Sequence, residues 1–147
     1  MESNCKIELV NVTKRFGKVI ANDSVNLTIE GGKVLCLLGE NGSGKTTLMS
    51  WILSTIPNEK RIFTIENGCR EFDLVKEDAE GNVINNVVHT VTRFSDDPKQ
   101  NYDQERLLEF ALTCDPDVVC VGEMKSAEAF AAQEAARPRS YHHHPCQ

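Results

Sequence analysis

Residues 39–47 read GENGSGKTT, and Gly39, Gly44, Lys45 and Thr46 fit G-x-x-x-x-G-K-[ST] with no mismatch. Each position has a chemical reason. Glycines permit the left-handed turns that aim backbone N–H groups inward, and the N-terminus of a following helix adds unpaired donors and the positive end of its dipole. On this reading Gly39, Asn41, Gly42, Ser43, Gly44, Lys45, Thr46 and Thr47 cradle the phosphates of a nucleotide, ATP. Lys45 reaches the β- and γ-phosphates, and the Thr46 hydroxyl completes the shell of Mg²⁺. The bland alternative is a Gly-rich turn that binds nothing. The flanks favour the first reading. KVLCLLG (33–39) is a continuous apolar run that predicts a central, doubly buried strand. KTTLMSWILST (45–55) has helical spacing through Leu48, Ile52 and Leu53 and is stopped by Pro57.

Outward from the loop, KIELVNVTKRF (6–16) and SVNLTI (24–29) alternate apolar and polar residues as strands do, with Gly17 and Lys18 as a turn. On the other side RIFTIE (61–66) predicts a strand, EDAEGN (77–82) a turn, and VINNVVHTV (83–91) another strand. YDQERLLEFALTC (102–114) is an amphipathic helix with Leu107, Leu108, Ala111 and Leu112 inward. DPDVVCVGE (115–123) is a short buried strand ending in an acid, and SAEAFAAQEAAR (126–137) a last helix, with Ser126 as N-cap, ended by Pro138. The order implies an α/β fold: a parallel sheet with helices and an antiparallel N-terminal β flap.

The chain's 147 residues suit one domain. A net charge of −6 opposes a general nucleic-acid surface, so any phosphate site must be local. The start, MESNCKIELVNV, has no basic segment followed by an apolar one, and no run approaches the roughly 20 apolar residues of a membrane span. These features predict a cytoplasmic protein, able to sit on a membrane partner at its inner face. The six cysteines, 5, 36, 69, 114, 120 and 146, form no CxxC pair. Four lie in or beside apolar patterns and read as small core residues in a reducing compartment.

Residues 7–49, IELVNVTKRFGKVIANDSVNLTIEGGKVLCLLGENGSGKTTLM, resemble the opening of an ABC transporter ATP-binding subunit. That resemblance implies that Phe16 stacks on adenine through its π-face; the bland alternative is a core residue. The family's LSGGQ-type signature and switch histidine do not follow. From the loop onward, residues 42–137 are similar to the type II/IV secretion and Flp-pilus assembly ATPases, on GSGKTT, IPNEKRIFTIENG, HTVTRF and DPDVVCVGE. The resemblance implies a P-loop NTPase (RecA-like) core, with Glu66 and Glu71 as catalytic acids of an acidic box in which Asn67 stands where Asp is usual. It makes Glu123 the Walker B acid, catalytic and metal-facing beside Thr46, with Gly122 allowing close approach. Arg93 becomes a catalytic arginine near phosphate; the bland alternative for Glu123 is a strand-capping surface acid, and Arg93 alone reads as a surface charge. Membrane-embedded secretion or transport subunits and a homo-oligomeric ring are the implied partners, with no nucleic acid.

The tail RSYHHHPCQ (139–147) resembles neither family. Its three histidines share no geometry with a fourth metal ligand. Read one base later, Tyr141 to His144 each become Ile or Thr, and one set of codons yields Gly-Val-Ile-Thr-Thr-Ile-His-Ala, similar to the secretion family's histidine box. The sequence therefore predicts one truncated P-loop NTPase domain over 1–137, ABC-like over 1–41 and secretion-like over 42–137, with a frameshifted tail over 138–147. Mg-ATP binding with impaired hydrolysis follows. The alternatives are a truncated ABC subunit and a non-functional chimeric reading frame.

Overall fold

In the computed structural model, residues 6–124 are described. The predicted helix 126–137 and the tail lie outside them. Strands β1 (Lys6–Phe16) and β2 (Val19–Glu30) form an antiparallel hairpin. Its two-residue turn opens at Gly17, whose φ of 58° suits glycine. Register shifts interrupt the ladder near Asn11 and Ser24, both at positive φ. The backbone N–H groups freed there find side chains instead: Asn11 N–H donates to Asn26 Oδ1 at 2.9 Å, and Ser24 N–H to Thr13 Oγ1 at 3.0 Å.

The second sheet is parallel, in the order β4 (Asn86–Val91), β3 (Arg61–Glu66), β5 (Val118–Val121). Helices α1 (Lys45–Ser54) and α2 (Gln104–Thr113) serve opposite faces of its central strand. The period of two along β3 sorts its side chains. Phe63 and Ile65 pack with Leu107, Leu108 and Ala111 of α2. Ile62 packs with Leu53, Ile56, Phe72, Leu74 and Cys120 on the α1 side, and Thr64 and Glu66 share its parity. Leu9 of β1 joins Leu48 and Ile52 of α1, and Ile7 also packs against the cluster around Leu53 and Ile62, so the hairpin covers the helix where it meets the sheet. Asp117 pins the start of β5 to β3: its carboxylate accepts from Arg61 N–H at 2.8 Å and Lys60 Nζ at 2.8 Å. No helix among the described residues is long and apolar enough to cross a membrane.

Two expectations need correction. Residues 33–40 are not a strand. An apolar run gains nothing from extended backbone unless its N–H and C=O groups meet a ladder partner. The described sheet ends at β5, whose outer edge has no neighbour, and the run makes none of the ladder contacts. Leu38 is consequently 92% exposed, and only Leu37 reaches the Leu9 cluster. The cysteines also differ: Cys120 is buried, whereas Cys36, in the same unpaired run, and Cys69 are exposed.

Candidate functional site

The loop opens directly into α1. Gly44 is the N-cap, with φ 86° and ψ 8°, and no side chain caps the helix. The first turn carries no acid, and the first intrahelical bond is Leu48 N–H to Gly44 C=O at 2.9 Å. The early N–H groups of α1 therefore face outward with the dipole behind them. Lys45 Nζ folds into the loop's mouth, donating to the carbonyls of Gly39 and Glu40 at 2.7 Å each and approaching Ser43 Oγ at 3.4 Å. Phosphate oxygens can take over those contacts.

Gly44 is fixed by the hairpin. A Cβ there would lie 2.2 Å from the Ala21 carbonyl oxygen, and Asn22 Nδ2 donates to the Gly44 carbonyl at 3.2 Å. The hairpin thus positions the loop through the Ala21 main chain and the Asn22 side-chain amide, and its tip, with Phe16 opposite Val19, lies only a few residues beyond this contact. Phe16 is 56% exposed and lies under Lys14 Nζ at 5.2 Å, so it is not a core residue. Its face is available to a planar ring.

The acids divide into two kinds. Glu66, at the end of β3, is 2% exposed and fully engaged. One oxygen accepts from Thr64 Oγ1 at 3.0 Å; the other accepts from Phe72 N–H at 2.8 Å and from Glu71 N–H. Burial works to raise its pKa, but the Phe72 and Glu71 amides, Thr64 and His89 together outweigh it and hold the carboxyl below its ordinary range. Glu71, by contrast, is exposed, with Oε2 3.5 Å from Thr46 Oγ1. The two oxygens are hard donors of the kind Mg²⁺ takes, alongside phosphate. No group of three His, Cys, Asp or Glu able to hold a metal exists among the described residues.

Glu123 and Arg93 emerge at the same end of the sheet, two residues beyond Val121 and Val91. That carboxyl end is where open parallel sheets bind ligands. Glu123 is exposed, and its backbone carbonyl accepts from Gln104 Nε2 at 2.5 Å. Arg93 exchanges backbone hydrogen bonds with Tyr102, and its guanidinium projects without a partner among the described residues. A Cβ on Gly122 would sit 3.6 Å from Phe72 and 3.7 Å from Glu66, ordinary contact within the protein itself. Asn67 serves the turn after β3, accepting from Thr92 Oγ1 at 2.8 Å.

Sequence reading missed Asn22, Thr64, His89 and Gln104. Thr64 and His89 carried a legible signal, since each is a polar residue inside an apolar strand. They are paired neighbours in the β3–β4 register, with Cys120 on the other flank of Thr64. Burial, with Glu66 nearby, pushes the Cys120 thiol up to about 12.

A family model described as type II/IV secretion system protein matches residues 12–138. It takes in most of the hairpin as well as the loop and the sheet. Among known proteins, the chain is 48% identical over 64 residues to the nucleoside import ATP-binding protein NupA of Lactococcus lactis, covering 42% of this chain and 12% of that protein. It is 54% identical over 52 residues to the xylose import ATP-binding protein XylG of Pectobacterium atrosepticum, covering 35% and 10%. The galactose/methyl galactoside import ATP-binding protein MglA of Treponema denticola is 36% identical over 87 residues, 59% of this chain and 17% of that one. The chain thus aligns with under a fifth of the length of each of these relatives. It resembles both ATPase groups.

Proposed function

This chain belongs to the type II/IV secretion system protein family, and from that premise we propose that it binds Mg-ATP through residues 39–47 as the core of a secretion or Flp-pilus assembly ATPase. The observation that carries the reading is the uncapped N-terminus of α1, with Lys45 folded into the loop ahead of it. Thr46 and Glu71 would hold Mg²⁺ on one side and Glu123 would approach it from β5, while Arg93 would face phosphate. Phe16 would stack on adenine. With ATP bound, the metal would neutralise charge on the phosphates.

Turnover should be slow or absent. The run leading into the loop has no ladder partner among the described residues, so the loop is anchored by α1 and the hairpin alone. Transition-state positioning of phosphate demands more than binding does. Membrane-embedded partners and a ring assembly remain proposals by family resemblance.

A second reading is an ABC transporter ATP-binding subunit, favoured by the 48% identity over 64 residues to NupA. A third is a chimeric reading frame. Calorimetric titration with ATP in the presence of Mg²⁺ tests the first: saturable binding lost in Lys45→Ala is expected, with negligible phosphate release. Equal binding by Lys45→Ala would sink the site, and brisk turnover would sink the claim of impaired hydrolysis. One continuous DNA read across codons 39 to 147 decides whether the frame is a single gene.

A further inference from the structure

We propose that His89 is a positioning residue for the acidic loop: as a neutral imidazole protonated on Nδ1, it orients Thr64 and Glu66, and Glu66 in turn holds residues 67–72 so that Glu71 faces Thr46. The inference deepens the Mg-ATP reading and rests on it for its functional consequence.

The argument is one of counting hydrogens. Thr64 Oγ1 owns a single hydrogen, and it donates that hydrogen to Glu66 Oε1 at 3.0 Å. His89 Nδ1 lies 2.9 Å from the same Oγ1. The hydroxyl has only lone pairs left to offer, so Nδ1 must carry the proton. A proton on Nδ1 also points toward Glu66 Oε1, 3.5 Å away. The remaining nitrogen, Nε2, is buried without a partner among the described residues. A bare lone pair there is better tolerated than an unpaired N–H, and a second proton would put an orphan donor in the interior. The charged groups near the ring are Glu66, Arg70 and Asp73; burial first and Arg70 second favour the neutral form.

The chain continues beyond Glu66. Its Oε2 accepts the N–H groups of Glu71 and Phe72, and Phe72 is itself seated in the core with Leu53 and Cys120. With Glu66 turned away, nothing described would hold the Glu71 peptide at that spot. Glu71 Oε2 is 3.5 Å from Thr46 Oγ1. A connected path therefore runs from β4 through β3 and the acidic loop to the first turn of α1. Only its far end, where Glu71 meets Thr46, reaches the loop proposed to bind nucleotide.

The test uses the full chain, ¹⁵N-labelled, with the variants His89→Asn and His89→Leu. Asparagine can place an amide N–H where Nδ1–H stood; leucine cannot. Long-range ¹H–¹⁵N spectra should show His89 protonated on Nδ1 alone. ATP titrations with and without Mg²⁺ should show about a tenfold loss of the Mg²⁺-dependent gain in affinity for His89→Leu, the scale for removing a supporting partner of a metal site. Metal-free ATP binding should stay unchanged, and His89→Asn should retain the gain. If His89→Leu does not fold, Thr64→Val cuts the same path and carries the same expectation. A proton on Nε2, or a full Mg²⁺ gain in the leucine and valine variants, overturns the proposal. Should the wild type bind no ATP at all, the nucleotide reading fails separately. Amide exchange at Glu71 and Phe72 then decides: protection lost in His89→Leu and kept in His89→Asn supports the path, and equal protection in both refutes it.

Discussion

Replacing Glu66 by glutamine changes one oxygen to an amide nitrogen at a position where every contact is a donor. Four groups converge on the carboxylate: Thr64 Oγ1, the N–H groups of Glu71 and Phe72, and His89 Nδ1 at longer range. If the new NH₂ faces the loop, it meets two backbone N–H groups head-on, and each unsatisfied donor costs about 1–3 kcal/mol. If it faces Thr64, the hydroxyl must reverse and donate to His89, whose proton then moves to Nε2, which has no partner among the described residues. One orphan donor results, again about 1–3 kcal/mol, with the loss of charge-assisted bonds adding about 1 kcal/mol. The expected loss for Glu66→Gln is therefore about 2–4 kcal/mol at pH 7, a large share of the roughly 5–15 kcal/mol available to a domain. Urea denaturation followed through Trp51, the sole tryptophan, reads it directly. The midpoint should fall with the slope unchanged, and exposed Glu71→Gln should move it by less than about 0.5 kcal/mol. A loss for Glu66→Gln as small as that of Glu71→Gln would refute the idea that Glu66 holds the loop.

Gly44→Ala should destabilise by at least about 1–3 kcal/mol from backbone conformation alone, and the 2.2 Å approach to the Ala21 carbonyl should also push the hairpin off the loop, visible as faster amide exchange in β2. Acid should destabilise in two stages. His89 sits below its ordinary 6.5, so the unfolded chain binds a proton that the folded one refuses, and stability falls as pH drops below about 6.5. Glu66 sits below its ordinary 4.5, so its contribution is intact above that value and is lost as pH falls through the folded pKa; a denaturation series from pH 8 to 3 that rises on acidification would contradict both. Cys36 and Cys69 should react with a thiol reagent in the native protein, while Cys120, buried and raised to about 12, should react only on unfolding, as peptide mapping would reveal. Phe16→Ala should weaken ATP binding by about 0.5–1.5 kcal/mol, and an unchanged affinity would remove Phe16 from the site.

Much of the fold was legible because local pattern and local partner coincide. The hairpin's strands carry alternating residues and adjoin one another; α1 and α2 show their periodicity within ten residues each. KVLCLLG failed for the opposite reason. Its pattern is strongly strand-like, yet whether it pairs depends on a neighbouring edge that no local pattern encodes. At the site, the phosphate loop was readable because its chemistry is contiguous in sequence. The His89–Thr64–Glu66 path was not, since it is assembled by the β3–β4 register, and a shift of one residue would send Thr64 and Glu66 to the α2 face. Glu66 and Glu71 look alike in sequence; only burial separates the clamp from the exposed acid.

The contact between hairpin and loop is made by an Ala21 carbonyl, a glycine without a side chain, and one asparagine amide on a carbonyl. Such a joint specifies little about the residues on either side of it, provided Gly44 and Asn22 stay. Two lineages that share the loop could exchange their hairpins with the crossing at this point intact, and divergence in the strands would be felt in the Leu9, Leu48 and Ile52 packing instead. The hairpin and the phosphate loop thus meet at a seam set by one glycine, one carbonyl and one amide, and the side chains elsewhere in the strands are free to answer to the helix they cover.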